Sequence, residues 1–368
     1  MIFTAAMMLA SAAAMAQSGT FQIKGNVEGL PDSLVAMIGR KTENIDVKKK
    51  KFEFSKNFDK PQWVYLCDQK VIKSGAFSAI PVFAIPSETI EMKGNFTGGV
   101  DIKGGKFYQE QDLMDEYKGQ AYKDIKALWK WYSDNVNDSN RDSIEKVVDE
   151  RMEPLRKKYS ADLLVYAKQH SDQECIALLI DELDDVKDKE TLISLMADNV
   201  KNGRMKAYYE PIFERAKKRA EMEEKAKVVQ ASGVEAPDFT LNDINGKPFS
   251  LSCLRGKYVV IDFWGSWCIW CIKGMPKMKE YYEKYKGKFE ILGVDCNDTE
   301  AKWKAAVEKH QLPWIHVYNP KGSDVLDKYA VQGFPTKIVI GPDGKIVKTI
   351  VGEDPAFYTL LDEVDRKS

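Results

Sequence analysis

The C-terminal part of the chain alternates between short apolar runs and segments with helical periodicity. Residues 258–265 and 289–295 are apolar runs of strand length, and each is followed by an amphipathic stretch, residues 270–286 and 298–311. The same reading predicts four more segments: a strand at 314–318, a helix at 324–331, a hairpin of strands 337–340 and 346–351, and a last helix at 355–366. Strands separated by helices predict a mixed α/β sheet that is covered on both faces.

The N-terminal part has a different pattern. In residues 20–104, short runs such as Phe21 to Val27 and Trp63 to Leu66 alternate between apolar and polar positions, with turn signals between them. This pattern predicts a small β-sandwich-like module. In residues 106–230, glycine and proline become rare and apolar residues recur three and four positions apart, which predicts a segment of amphipathic helices.

Composition and charge narrow the classes of function. The chain has 368 residues, more than a typical single domain, so several domains are expected. Lys plus Arg (55) balance Asp plus Glu (56), and nothing indicates a nucleic-acid partner. Residues 1–16 are apolar and alanine-rich and end in Ala14-Met15-Ala16, which predicts an export signal. We therefore expect a periplasmic protein, soluble or loosely associated with the membrane.

Two cysteines follow the first apolar run of the C-terminal part. Cys268 and Cys271 form a Cys-x-x-Cys pair at the predicted start of a helix, where a disulfide can close and reopen with little backbone movement. The pair therefore predicts thiol–disulfide exchange. A structural disulfide or half of a zinc site are the alternatives. Zinc would need two more ligands, and the sequence has no second Cys-x-x-Cys or His pair, so we predict no metal and no cofactor.

Residues 234–368 resemble the TlpA/ResA-like thiol–disulfide oxidoreductases, which have the thioredoxin fold. The resemblance rests on more than the cysteine pair. It is carried by Val234-Glu235-Ala236-Pro237-Asp238-Phe239, Asn242-Asp243-Ile244-Asn245-Gly246-Lys247, Asp262-Phe263-Trp264-Gly265-Ser266-Trp267-Cys268, Pro276, and Val331-Gln332-Gly333-Phe334-Pro335-Thr336. Residues 298–318 look like the central insertion of this branch. More loosely, residues 20–230 resemble the β-rich module and helical segment that precede such domains in exported Bacteroidetes proteins.

The resemblance implies roles for the cysteines and for one acid. Cys268 would be the nucleophile at a helix N-terminus, and Cys271, one turn on and more buried, would resolve the mixed disulfide. Asp262 would be a buried acid below the disulfide with a raised pKa, able to carry the proton of Cys271. The alternative is a strand-end aspartate with ordinary hydrogen bonds. Gly274 stands where some relatives carry a further acid, three residues after the second cysteine.

The resemblance also implies a client-binding surface. Pro335 is predicted to be cis, which would turn the backbone of Phe334 towards the client; an ordinary trans turn is the alternative. Trp267 and Trp270 are predicted to form an exposed apolar rim where extended or unfolded clients bind, whereas Trp264 is expected in the core.

Four other cysteines are scattered along the chain. Cys296 ends a strand on the active-site side of the sheet and could act as a third thiol, although a packed free cysteine is the simpler interpretation. Cys175 lies among apolar residues and is expected in the core. Cys67 and Cys253 receive no role.

The leading hypothesis is an exported thiol–disulfide oxidoreductase that reduces disulfides of protein clients and is itself reduced by an upstream membrane electron donor. One alternative is a binding protein in which the redox pair is secondary. Another is a thiol peroxidase, a class that shares the Ala236-Pro237-Asp238-Phe239 motif. Peroxidases need a Thr or Ser three residues before the reactive cysteine, and Gly265 stands there.

Overall fold

The computed structural model describes residues 18–73, 78–117, 119–137 and 139–367. The predicted export signal, residues 1–16, lies outside the described residues. The chain divides into two compact units, the first ending at Ala216 and the second beginning at Lys217. Over the stretches just given, no helix combines the length and the apolar character needed to cross a membrane.

The first unit begins with two β-sheets, as predicted. Its strands are β1 (Gly19–Glu28), β2 (Leu34–Ile38), β3 (Lys41–Asn44), β4 (Val47–Lys48), β5 (Lys51–Phe58), β6 (Gln62–Asp68), β7 (Ala79–Ala84), β8 (Thr89–Asn95) and β9 (Gly99–Lys103). In the described part of the chain they form a five-stranded sheet, β4-β5-β1-β8-β9, and a four-stranded sheet, β3-β2-β6-β7. Alternate residues of β1 are buried, and side chains from both sheets share one apolar core. The period-two pattern therefore reflects one buried face on each sheet.

The helices of this unit follow β9 in the chain, apart from a short one after β6. They are α1 (Gln69–Lys73), α2 (Lys106–Tyr117), α3 (Gly119–Asn135), α4 (Arg141–Gln169), α5 (Val186–Leu195), α6 (Asp198–Lys201) and the first part of α7 (Lys206–Val229), which continues into the second unit. The prediction of amphipathic helices across residues 106–230 is wrong at one segment: Glu174–Ile180 forms a 3-10 helix rather than an amphipathic α-helix. Every residue from Cys175 to Ile180 is buried, so the segment has no polar face.

The second unit is a mixed sheet with helices, which confirms the predicted α/β thioredoxin-like class. Its strands are β10 (Thr240–Asp243), β11 (Pro248–Ser250), β12 (Tyr258–Trp264), β13 (Phe289–Asp295), β14 (Ile315–Tyr318), β15 (Thr336–Ile340) and β16 (Ile346–Val351). Its remaining helices are α8 (Ile269–Lys284), α9 (Glu300–His310), α10 (Val325–Lys328) and α11 (Ala356–Lys367). The strand order is β11-β10-β14-β13-β12-β15-β16, with β12 parallel to β13 and antiparallel to β15.

The central strand β12 supplies side chains to both faces of this sheet. Val259, Ile261 and Phe263 belong to one apolar core, while Val260 and Trp264 belong to the other. Because side chains alternate along a strand, Asp262 lies on the face of Val260 and Trp264. That face also carries the side chains of α8 and α11. The opposite face packs against Leu254 and against Val325 of α10, so the sheet is covered on both faces, as predicted. Asp262 lies on the same face as the two cysteines.

Candidate active site

Cys268 and Cys271 are joined by a disulfide at the N-terminus of α8. The S–S distance is 2.07 Å and the Cα atoms are 5.3 Å apart. Cys268 is the N-cap residue, and its Sγ accepts a hydrogen bond from the backbone N–H of Cys271 at 3.2 Å. Unpaired N–H groups and the helix dipole favour negative charge at this position. When the bond is reduced, this environment favours the thiolate of Cys268 over its thiol.

Cys271 and Cys268 are buried to nearly the same extent in the oxidised state, and the greater burial of Cys271 stays a prediction for the reduced pair. Their exposed fractions are 4% and 5%, so the two side chains are equally buried. The bond ties the two sulfur atoms together, and both side chains join the apolar core between α8 and the sheet. Access to Cys268 therefore depends on the residues that surround the pair.

The turn between β12 and α8 is fixed by hydrogen bonds from the loop after β13. The N–H of Ser266 donates to Asp298 Oδ2 at 2.7 Å, and the indole N–H of Trp267 donates to the carbonyl of Cys296 at 3.0 Å. A Cβ on Gly265 would lie 2.8 Å from that same carbonyl, closer than side-chain carbons approach. The turn therefore has no room for the Thr or Ser that a thiol peroxidase places at this position.

Apolar side chains at the surface surround the pair. Trp267 is 49% exposed and Trp270 is 61% exposed, and Ile269 between the cysteines is exposed as well. Phe334 packs edge-on against Trp267 with ring centroids 5.3 Å apart, and the Phe334–Pro335 peptide bond is cis. Trp267 and Phe334 thus contact each other and Trp270 is exposed beside Cys271, whereas Pro335 is buried, as is the predicted core residue Trp264.

Asp262 is buried in the middle of β12, directly opposite Lys337 on β15. Loss of hydration raises the pKa of Asp262 to about 6, since burial penalises the charged form. The positive charge of Lys337 lowers this pKa, and the negative charge of Glu353 raises it. Within the described residues, no group donates a hydrogen bond to Asp262 Oδ1. A buried carboxyl with this pKa can take up and release a proton near neutral pH.

The sequence reasoning missed two charged residues on this face. The Lys337 side chain is only 1% exposed, and its Nζ pairs with Glu353 Oε2 at 2.8 Å. The hydroxyl of Tyr358 donates to Glu353 Oε1 at 2.7 Å. The available signal was a lysine inside the apolar strand Thr336–Ile340, where a charge needs a buried partner.

The other cysteines are separate from the pair. Cys296 is buried, its thiol donates to the carbonyl of Val294 at 3.3 Å, and burial strongly raises its pKa. Burial also raises the pKa of Cys175, to about 12, and that of Cys67. Because burial raises its pKa, Cys296 stays protonated near neutral pH, which favours the packed-cysteine interpretation. Cys253 is exposed. Over the described stretches, His, Cys, Asp and Glu side chains form no group of three able to hold a metal ion.

Comparison with known proteins places the similarity in this C-terminal third. A model of the AhpC/TSA family matches residues 232–349. The chain is 43% identical over 122 residues to the thiol–disulfide oxidoreductase ResA of Bacillus cereus, covering 33% of this chain and 70% of that protein. It is 36% identical over 123 residues to ResA of Bacillus subtilis, covering 33% of this chain and 68% of that protein.

A solved structure matches the same region. It is the crystal structure of the thioredoxin domain of a thiol–disulfide oxidoreductase from Bacteroides vulgatus, 37% identical in sequence. The match covers 36% of this chain and 98% of that one, with a TM-score of 0.34.

Proposed function

The C-terminal third of this chain belongs to the ResA-like thiol–disulfide oxidoreductases, and we propose that it reduces disulfide bonds of protein clients through Cys268 and Cys271. The observation that carries this proposal is the disulfide at the N-terminus of α8, bordered by exposed tryptophans. We assign the catalytic domain to residues 234–368, preceded by a helical segment at 106–230 and a β-rich module at 20–104.

The reaction has two exchange steps. The thiolate of Cys268 attacks one sulfur of the client disulfide, forming a mixed disulfide and releasing the other client sulfur, which takes up a proton. Cys271 then loses its proton and attacks the Sγ of Cys268, which re-forms the Cys268–Cys271 bond and releases the second client thiol. The client gains two electrons and two protons, and the pair is left oxidised. A dithiol donor upstream, which we propose is a membrane protein, reduces the pair again.

Asp262 is the proposed acceptor for the proton of Cys271. It lies on the sheet face that carries both cysteines, and its pKa of about 6 allows it to hold a proton transiently near neutral pH. In the proposed reaction the client chain binds at the surface formed by Trp267, Trp270 and Phe334, beside Pro335. Large exposed apolar side chains bind unfolded or extended chains with little demand on sequence. The proposed location is the periplasm, after export.

The test is reduction of insulin disulfides by the full-length protein in the presence of dithiothreitol. Wild-type protein should accelerate the reduction, and Cys268→Ser should abolish the acceleration. In a separate reaction from which dithiothreitol has been removed, because it would cleave a mixed disulfide, pre-reduced Cys271→Ser should accumulate a mixed disulfide with the client at Cys268. Cys253→Ser is the matched control, because this cysteine is exposed and outside the pair, and it should behave as wild type.

Two outcomes would contradict the proposal. Equal activity of wild type and Cys268→Ser would place the chemistry elsewhere. Absence of any mixed disulfide in Cys271→Ser would remove the exchange mechanism, and binding of a client without reduction would favour the binding-protein alternative.

A further inference from the structure

A carboxylate from a distant part of the sequence lies against the active-site helix at Gly274. A Cβ built on Gly274 would be 2.6 Å from Glu353 Oε1 and closer still to Oε2. Glu353 comes from the loop between β16 and α11. The glycine therefore leaves the space that the Glu353 carboxylate occupies, and any larger residue would compete with that carboxylate.

This position is one helical turn from Cys271. Both residues are in α8, and side chains three positions apart lie on the same helix face, about 5–6 Å apart at Cβ. The hydroxyl of Tyr358, which donates to Glu353, also approaches the carbonyl of Gly274 at 3.4 Å. The Glu353 carboxylate is thus held beneath α8, on the side of the helix that carries the resolving cysteine.

The charges at this site, where Lys337 and Asp262 are buried and Glu353 is partly exposed, are unbalanced when Asp262 ionises. Lys337 lies opposite Asp262 in the sheet and forms its ion pair with Glu353. Its single positive charge therefore acts on two carboxylates, that of Glu353 and that of Asp262. Tyr358 and the thiol of Cys296 also interact with Asp262, and both remain neutral because burial raises their pKa. With Asp262 protonated the cluster is neutral, and with Asp262 ionised it carries an extra negative charge in an apolar environment.

We propose that Glu353 is a positioning residue for the resolving step: by engaging the ammonium of Lys337, it keeps Asp262 a strong proton acceptor for Cys271. Without the Glu353 charge, Lys337 would pair with Asp262 instead and hold it in the ionised form, as a weaker base. Without Lys337, both carboxylates would lack a counter-ion, and Asp262 would hold its proton more tightly. The inference rests on the proposed function, because it concerns proton transfer from Cys271.

The proposal predicts opposite effects for the two members of one ion pair. Glu353→Gln should lower the titration midpoint of Asp262 by about one pH unit, and Lys337→Met should raise it by about one unit. Gly274→Ala should act like Glu353→Gln, because the new methyl group displaces the carboxylate without changing the number of charges. Glu353→Asp keeps the charge and should retain most of the wild-type behaviour.

The measurement is a carbon NMR titration of the oxidised full-length protein with labelled aspartate carboxyl groups, in which Asp262→Asn identifies the Asp262 signal. Glu363→Gln and Lys348→Met are matched controls, because both side chains are exposed in the same unit, and neither should move the midpoint. Shifts of the same sign for Glu353→Gln and Lys337→Met, or no shift for Glu353→Gln, would overturn the proposal.

A kinetic readout separates this inference from the proposed function. Cys268 is loaded with an aromatic thiol as a mixed disulfide, and release of the thiol by Cys271 is followed against pH. Glu353→Gln should slow release several-fold near neutral pH and shift its pH profile to lower pH. If wild-type protein releases the thiol and Glu353→Gln is indistinguishable from it, this inference fails alone. If wild-type protein does not release the thiol, the proposed function fails.

Discussion

Removing the charge of Asp262 should make the C-terminal unit more stable at neutral and alkaline pH. The pKa of Asp262 is raised from 3.8 to about 6 in the folded state by burial. Between these two values the folded protein keeps the proton and the unfolded chain releases it. Because the folded state then binds more protons than the unfolded state, stability falls as pH rises through this window. Asp262→Asn removes that pH-dependent penalty.

The size of the effect follows from the pKa difference. A shift of about two units at about 1.4 kcal/mol per unit gives a penalty of about 3 kcal/mol above the folded pKa. Only about 0.6 kcal/mol of this penalty is present near pH 4, where the folded carboxyl is protonated and that of the unfolded chain is about 40% protonated. The stability gained by Asp262→Asn should therefore be about 2–3 kcal/mol larger near pH 8 than near pH 4.

The assay is urea unfolding of oxidised full-length protein, wild type and Asp262→Asn, at both pH values. Most of the eight tryptophans lie in the C-terminal unit, so fluorescence reports mainly its transition. Exposure of the buried Cys296 thiol to a labelling reagent identifies that transition independently. Near pH 4, the difference in unfolding free energy between wild type and Asp262→Asn mainly measures the structural effect of the amide. The change in that difference between pH 4 and pH 8 measures the effect of the Asp262 charge. An equal effect of the substitution at both pH values would refute the reasoning.

Three further predictions concern other parts of the molecule. Trp270→Ala should raise KM for a protein client roughly tenfold and leave reduction of a small disulfide unchanged, whereas Trp129→Ala, an equally large exposed side chain, should do neither. Arg204→Ala should destabilise the N-terminal unit by about 1–2 kcal/mol in urea unfolding, because Arg204 pairs with both Glu88 and Glu174 at 2.7 Å. A loss of stability below about 0.5 kcal/mol would contradict this prediction. In the oxidised folded protein, Cys253 should be the one free cysteine that iodoacetamide labels rapidly, since the other three are buried. Peptide mass spectrometry measures the labelling, and rapid labelling of Cys296 would contradict its assignment to the core.

The C-terminal fold could be predicted from local pattern because each element has one clear period. The apolar run Tyr258–Trp264 is long enough for a buried strand, and the Cys268 N-cap and helical periodicity mark the helix that follows. The buried 3-10 helix Glu174–Ile180 could not be predicted, because an apolar run has no polar face from which to read a period.

The site was predictable only where its residues are close in sequence or form a known motif. Cys268, Cys271 and Asp262 belong to one strand–helix unit, so their proximity follows from that unit. The approach of Glu353 to Gly274 depends on pairing of β15 with β16 and on the position of the loop after them. The sequence marks Gly274 and Lys337 as unusual at their positions, but that Glu353 contacts both is apparent only in three dimensions. The equal burial of the two cysteines likewise follows from the closed disulfide.

The most direct test of the central claim is the reduction potential of the Cys268–Cys271 pair, measured in a dithiothreitol or glutathione buffer series. A protein-disulfide reductase should give a value near that of thioredoxin, roughly −270 mV. A value near −120 mV would identify an oxidant and contradict the proposed direction of electron flow. Absence of any reversible disulfide would contradict the redox function itself.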